Sequence, residues 1–446
     1  MRRILGTYIW GTMILAVILL GCSGEFQARN SLRLGSEETL SPLPGDPSFK
    51  REIKVTTVEE LTSALALAEP GDDIIIGPGS YEIEGNVMIA RAGTSEEPIR
   101  LRAAMAGDAL LEMNPGSSPT EGFVVRAPYW ILENLVIRGS CIPGDHSKCE
   151  NAVHIRGEAD HLIVRNNTMT EFNSMIRGSG SGVSGSPYKF ANDVLLANNR
   201  LYNSSARDTS GNVNFIDVSG GARWTFRRNF LYDFSKNLGD KTSYGISLRG
   251  NSRDAVFESN LVACSRYLAS GTRVGLSLGG DGLSLSQSCE NMNCSTEHTN
   301  GTVRNNIVIG CSDAGIYLNK ANNTLVIQNT LVGTEGIHVR DSEATARVIN
   351  NLVSGSIWAS NKGGIIMNTG NQIREGEDLF NNYLAGDFKL TQKGESDMDT
   401  TTRDPAALHD YCGQVRTATT EVGAIEYGTA TSSSCLDELL GFYQAF

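Results

Sequence analysis

Eight short β-prone segments recur along the chain: AVHIRG, SMIRGS, FIDVSG, GISLRG, GLSLGG, GIYLNK, GIHVRD and SIWASN. Strand alternation sends Val153, Ile176, Ile216, Ile246, Leu276, Ile316, Ile337 and Ile357 to one side, so the residue after each faces the other. That outward row reads His154, Arg177, Asp217, Ser247, Ser277, Tyr317, His338 and Trp358. Two residues further along lies a second row: Arg156, Ser179, Ser219, Arg249, Gly279, Asn319, Arg340 and Ser360. Guanidinium forks bind carboxylates or sulfates in bidentate fashion, and aromatic rings offer surfaces on which sugars stack. Such a face suits an extended acidic polysaccharide. Arg177, Asn319, Arg340 and Trp358 are the candidate substrate contacts, and Arg249, Asp217, His338 and Tyr317 the candidate catalytic groups. The plain alternative is a solvated polar face on which the charges gather by chance.

For these residues to share one wall, the chain has to coil. A second repeat supplies the coil: VRNNTM, LANNRL, FRRNFL, FESNLV, VRNNIV, IQNTLV and INNLV, with pivotal asparagines at 167, 199, 229, 260, 306, 329 and 351. Their spacings are 32, 30, 31, 46, 23 and 22 residues, so the shortest is a bare turn and the others carry loops. A repeat of this length without helical period cannot bury a face alone, whereas stacked coils share one core. The expected fold is all-β, a single-stranded right-handed parallel β-helix over residues 51–430 with an N-terminal capping helix. Asparagines at one corner of successive coils, about 4.8 Å apart, stack with amides bonded to one another and are structural. The helix is read from VTTVEELTSALALAEPGD: Thr57 and Glu60 form a capping box, Val58, Leu61, Leu65 and Ala68 share a face, and Pro70-Gly71 stops it before a first strand at Ile74 to Ile76.

Composition agrees with many short strands: Gly is abundant at 48 of 446 residues and aromatics make up 7%. A formal charge of −12 disfavours nucleic acid as a partner. Residues 1–21 read as a signal peptide ending in Leu19-Leu20-Gly21 before Cys22, the pattern of a bacterial lipoprotein. Acylated Cys22 would anchor the chain to a membrane, the outer membrane in a Gram-negative cell because Ser23 rather than Asp follows. Residues 22–50 read as a flexible tether and 431–446 as a tail, and a monomer is expected. The remaining cysteines are even in number, as suits disulfides in an exported chain. Proximity pairs Cys141 with Cys149, Cys264 with Cys311, Cys289 with Cys294 and Cys412 with Cys435. Cys289, Cys294 and His298 also have the chemistry of metal ligands, but outside the cytoplasm thiols are more often oxidised.

The stretches VTTVEELTSALALAEPGDDIIIGPGSYEI, GTSEEPIRLRAAMAGDALLEM and YWILENLVIRG resemble the opening of the polysaccharide lyases typified by chondroitinase B and alginate lyase. DFKLTQKG, EVGAIEY and CSDAGIYLN are similar to segments of bacterial extracellular β-helix proteins and lipoproteins. The lyase resemblance implies β-elimination next to a uronic acid: a calcium neutralises the carboxylate, a Lys takes the C5 proton and an Arg assists the leaving group. YGISLRGNSRDAVFESN resembles the arginine-bearing turn and places Arg249 at the catalytic Arg. In the preceding turn, NVNFIDVSGG, Asn212 and Asn214 replace the acids and Ser219 the lysine. Another base is then needed, and Asp217, His338, Tyr317, Lys236 and Lys241 are the candidates.

Overall fold

The computed structural model describes residues 47–446 except 117, 184–186, 281–288, 291–293, 428–429 and 445–446. The expected leader, Cys22 and most of the tether lie outside the described residues. The end of that stretch is already docked: the Arg100 guanidinium lies 4.1 Å from the Phe49 ring centroid, and the Lys50 N–H donates to Gly71 O. A strand, Arg51–Val55, then pairs in parallel with Asp72–Ile76, one strand earlier than expected. Its Ile53 and Val55 alternate with charged residues, a pattern too short to stand out before the helix.

Helix Val58–Ala66 closes the amino-terminal end. Thr57 Oγ1 accepts the Glu60 N–H, while the Glu60 carboxylate accepts the Thr56 N–H. Leu61 and Leu65 are buried over the first coils, so the helix seals an apolar core that would otherwise end in water.

Beyond it the chain winds into three parallel sheets of twelve, eleven and eight strands, and in each the neighbours are strands of successive coils. This is the right-handed parallel β-helix that the repeat implies. The twelve-stranded sheet runs from Arg51–Val55 to Gly364–Thr369, the eleven-stranded from Gly79–Glu84 to Gln372–Ile373, and the eight-stranded from Asn151–Arg156 to Ser356–Ser360. The inward aliphatic row is in register, and its members from Val153 to Ile337 are fully buried.

The asparagine corner is a continuous amide chain. The side-chain amide of Asn167 donates to Asn199 Oδ1, Asn199 to Asn229, and so on through Asn260, Asn306, Asn329 and Asn351, at 2.9–3.2 Å. An eighth member, Asn371, accepts from Asn351 at 2.9 Å and was not evident in the repeat. Each oxygen also takes the backbone N–H of the preceding asparagine, and each amide a carbonyl of the preceding coil, as with Asn260 to Phe226 O. The corner thus satisfies its own buried polar groups. The residue before each ladder asparagine has positive φ: Asn166, Asn198, Arg228, Ser259, Asn305, Gln328 and Asn350 lie between +53° and +58°. Asn tolerates that conformation better than other non-Gly residues, which accounts for the repeated Asn-Asn pair.

The parallel coils stop at Ile373, short of residue 430. From there the chain folds back as antiparallel pairs Phe380–Asn382 with Asp387–Leu390 and Asp399–Thr402 with Thr419–Glu421, followed by helix Ala430–Gln444 in place of a loose tail. Phe388, Leu436, Leu439 and Tyr443 pack on outward residues of the eleven-stranded sheet, among them Phe230, Leu261 and Ile307, and Ala407 packs on Leu325 and Ile327 of the twelve-stranded sheet. Burial of these apolar side chains holds the segment against the coils. Parts of two of the three outer walls are covered in this way. All four expected disulfides are formed, including Cys264–Cys311 between neighbouring coils and Cys412–Cys435 within the cap.

Replacing a central ladder residue leaves buried backbone and amide groups without partners, at about 1–3 kcal/mol for each such group. Asn260→Ala is therefore expected to lower the unfolding midpoint more than Asn371→Ala at the partly exposed end of the ladder. Thermal and denaturant unfolding of the two variants checks this, and equal losses would contradict the ladder's role.

Candidate functional site

The eight-stranded sheet brings the outward row together as the alternation requires. His154 pairs with Arg177, Arg177 with Asp217, Asp217 with Ser247, Ser247 with Ser277, Ser277 with Tyr317, Tyr317 with His338, and His338 with Trp358. In the second row Arg156 aligns with Ser179, Ser219 with Arg249, and Gly279 with Asn319, Arg340 and Ser360 in turn. Residues up to 204 positions apart in sequence, from His154 to Trp358, thus line one wall.

That wall is less open than alternation alone suggests. Asp217, Ser247, Ser277 and Asn319 point away from the core yet are only 1–4% exposed. Part of the reason is the long insertion between coils. Gly280 lies against the Arg249 side chain, the Glu297 carboxylate accepts the Gly250 N–H, and the Glu297 side chain sits beside Gly279. Glu290, earlier in the same insertion, accepts the Gly221 N–H and pairs with Arg253. Asn319 is therefore corrected from a surface contact to a buried residue. Asp217 is corrected likewise: it is held by Arg249, whose Nη2 lies 3.1 and 3.3 Å from its two carboxylate oxygens. A carboxylate bonded in this way orients the guanidinium.

At the carboxyl-terminal end lies a group of half-buried side chains. Tyr317 Oη accepts a hydrogen bond from Arg340 Nη1 at 3.0 Å. The His338 ring lies 4.4 Å from the Trp358 ring, nearly parallel, and 5.4 Å from that of Tyr317. Its Nε2 bonds Ser360 Oγ at 2.7 Å. Burial and the neighbouring Arg340 push His338 below the ordinary imidazole range, against the opposing pull of Asp313 and Asp341. Tyr244, which the sequence did not single out, couples electrostatically to Tyr317, Asp313 and Arg249, and burial pushes its phenol up to about 12. It escaped notice because Gly245 and Ile246 both face the core, which interrupts the alternation ahead of GISLRG.

At the amino-terminal end a second cluster spans three coils. Glu121 Oε1 lies 2.9 Å from His154 Nδ1, and His154 Nε2 lies 2.8 Å from Ser179 Oγ. Arg156 is 3.9 Å from Glu121, and Arg177 acts electrostatically on Glu121 and Glu150. The hydrogen bond from His154 holds Glu121 below the usual carboxylate range, while burial pushes His154 down and Glu150 up. Threading EGFVV as the turn before AVHIRG would have found Glu121.

The groups implied by the lyase resemblance do not fit here. Asn212 and Asn214 offer neutral oxygens, Asp217 is engaged by Arg249, and Ser219 stands in place of the lysine. Lys236 does not supply the base, since it is buried with Nζ on Gly211 O at 3.0 Å and Asp240 at 2.7 Å. Among the described residues no cluster of three His, Cys, Asp or Glu side chains is placed to hold a metal. Cys289 and Cys294 are bonded to each other, and fully buried His298 bonds Ser252 Oγ at 2.8 Å.

Comparison with known proteins agrees with this architecture. Residues 281–404 match the family model described as periplasmic copper-binding protein (NosD). Over 120 residues the chain is 28% identical to pectate lyase L of Dickeya chrysanthemi, a match covering 24% of this chain and 28% of that protein. Among solved structures it is similar to pectate lyase Pel9A, with a TM-score of 0.57 and 14% identity over 86% of this chain and 98% of the other. It is also similar to a rhamnogalacturonan lyase, with a TM-score of 0.49 and 13% identity over 85% of this chain and 93% of the other. The chain thus shares the parallel β-helix fold with pectate lyase Pel9A, and its match to the curated relative spans little more than a quarter of that protein's length.

Proposed function

We propose that this chain is a cell-envelope lipoprotein, anchored through Cys22, that acts on an acidic polysaccharide by lyase-type β-elimination on the outer wall of the eight-stranded sheet. The observation that carries the reading is the registered grouping of Tyr317, His338, Arg340 and Trp358 on that wall, with Arg249 three coils earlier in the second row. The local identity to a pectate lyase and the shared fold support it.

In this reading Arg340 binds the carboxylate of the reacting uronate and opposes the negative charge that grows on it as the C5 proton leaves, while Arg249, oriented by Asp217 and three coils away, binds the carboxylate of a neighbouring uronate. Tyr317 Oη, stabilised by the hydrogen bond from Arg340, or His338 accepts that proton. The C5–H electron pair becomes the C4–C5 double bond, the C4–O bond breaks, and the departing oxygen takes a proton. Trp358, stacked on His338, offers its ring to a neighbouring sugar.

A second reading keeps the wall as a polysaccharide-binding surface without chemistry. It draws on Ser219 in the lysine position and on the engagement of Asp217 by Arg249.

Purified protein is expected to release unsaturated, ultraviolet-absorbing product from at least one of pectate, alginate or glycosaminoglycans. Arg249→Ala and Tyr317→Phe should each lower kcat/KM by roughly 10²–10⁴-fold while circular dichroism stays native. Wild type as inert as Arg249→Ala across the panel, with glycan binding that is lost in Arg249→Ala/Arg340→Ala, would replace the lyase reading with the binding one. A separate expectation concerns pH. Because His338 is held below the ordinary imidazole value of about 6.5, it remains neutral as pH falls through that value, and the acidic limb of the rate profile should lie below it. A limb at or above the ordinary value would contradict His338 as the proton acceptor.

A further inference from the structure

The amino-terminal cluster has an order that β-elimination does not require. Glu121, His154 and Ser179 come from three successive turns and form one hydrogen-bonded line: carboxylate to Nδ1 at 2.9 Å, Nε2 to Oγ at 2.8 Å. The line fixes its own protons. A carboxylate only accepts, so His154 Nδ1 carries the hydrogen; neutral His154 then presents Nε2 as an acceptor, and the Ser179 hydroxyl donates to it. Burial of His154, 4% exposed, favours that neutral form. A hydroxyl donating to an imidazole whose far nitrogen is held by a carboxylate is the arrangement that activates a serine nucleophile, wherever in the sequence its members stand.

Two further observations set this line apart from an ordinary buried histidine. Arg156 is the register partner of Ser179, and its Nε is buried with no hydrogen-bond partner among the described residues. An N–H donor on the strand paired with that of the nucleophile, with nothing to bond, suits an oxygen on which negative charge develops during reaction. The same wall also contains an internal comparison. His338 and Ser360 repeat the row-to-row relation of His154 and Ser179, at 2.7 Å, yet no carboxylate hydrogen-bonds His338 among the described residues. Stacking alone therefore yields a His–Ser contact, and the carboxylate is an addition specific to one end.

We propose that Ser179, His154 and Glu121 form a nucleophilic triad that hydrolyses carboxylic esters, with O-acyl groups on a polysaccharide as the natural substrate class. The polysaccharide part rests on the function proposed above; the ester chemistry does not. Ser179 Oγ attacks the ester carbonyl carbon and its proton passes to His154 Nε2. The carbonyl oxygen becomes an oxyanion facing Arg156 Nε. When the carbonyl re-forms, the bond to the sugar oxygen breaks and that oxygen leaves with the proton from His154. Water then attacks the acyl-serine, giving its proton to His154, and the carboxylic acid departs as Ser179 Oγ recovers its hydrogen. Ser179 lies two coils from Arg249 along the second row, about 10 Å at the usual strand separation, so deacylation and chain cleavage fall on neighbouring sugars.

The test treats the purified full chain with a fluorophosphonate and maps the adduct by peptide mass spectrometry. In parallel, hydrolysis of p-nitrophenyl acetate and acetate release from acetylated pectin are measured. The expected results are an adduct on Ser179 and ester hydrolysis that Ser179→Ala and His154→Gln each reduce by roughly 10²-fold or more, with Glu121→Gln reduced less. Labelling of unaltered protein needs no variant to fold, so instability of Ser179→Ala leaves the proposal open to refutation. Absence of an adduct on Ser179, together with wild-type hydrolysis of both esters no faster than buffer, overturns it. Unsaturated product is read separately on pectate, alginate and glycosaminoglycans: ester hydrolysis with none from that panel removes the lyase reading and leaves the triad, and unsaturated product with neither adduct nor ester hydrolysis removes the triad alone.

Discussion

The fold depends on the one-to-one stacking of successive coils, and the asparagine corner is where that stacking is enforced. A buried amide has two donors and an acceptor to satisfy, and the ladder does so only when each coil lies in register on the last. A slip of one residue would turn every inward aliphatic side chain to the outer wall and break each amide contact together. Polar and apolar requirements therefore select the same register, which is the consistency that specifies a single structure.

The candidate site is a consequence of that register. No loop assembles it; seven interstrand pairings in a row place His154 through Trp358 on one wall. The carboxyl-terminal segment covers outward apolar residues of the other two sheets. The wall then divides by chemistry: a carboxylate–imidazole–hydroxyl line at one end, an Asp217–Arg249 pair in the middle beside the buried Ser247 and Ser277, and a Tyr–His–Trp–Arg group at the other end.

Much of this was legible in the sequence because a solenoid converts periodicity into contact. Both outward rows, the inward row and the asparagine ladder follow from a period and an alternation, and the disulfides follow from nearness in sequence and in coil. What escaped reading lacked a period or broke one. Asn371 lies 20 residues beyond Asn351, in the shortest coil, after Gly370 instead of a second Asn. Tyr244 was hidden by consecutive inward residues, and Glu121 belongs to a turn ahead of the first recognised repeat. The depth of Asp217 and Asn319 was invisible because alternation assigns a direction, whereas exposure depends on where an insertion folds back. The cap departs from the coil at Ile373 into antiparallel pairs that no repeat announces.

The account's central claim is that uronate carboxylates of an extended chain are held on the outer wall of the eight-stranded sheet by Arg249 and Arg340. A crystal structure with a bound uronic acid oligosaccharide tests it directly. The account predicts carboxylates of separate sugars on those guanidinium groups, a sugar ring against Trp358 and a C5 hydrogen facing Tyr317 or His338. An oligosaccharide bound instead on another wall, as in the cleft of about 160 Å3 bounded by Glu258, Arg304 and His409, would contradict it.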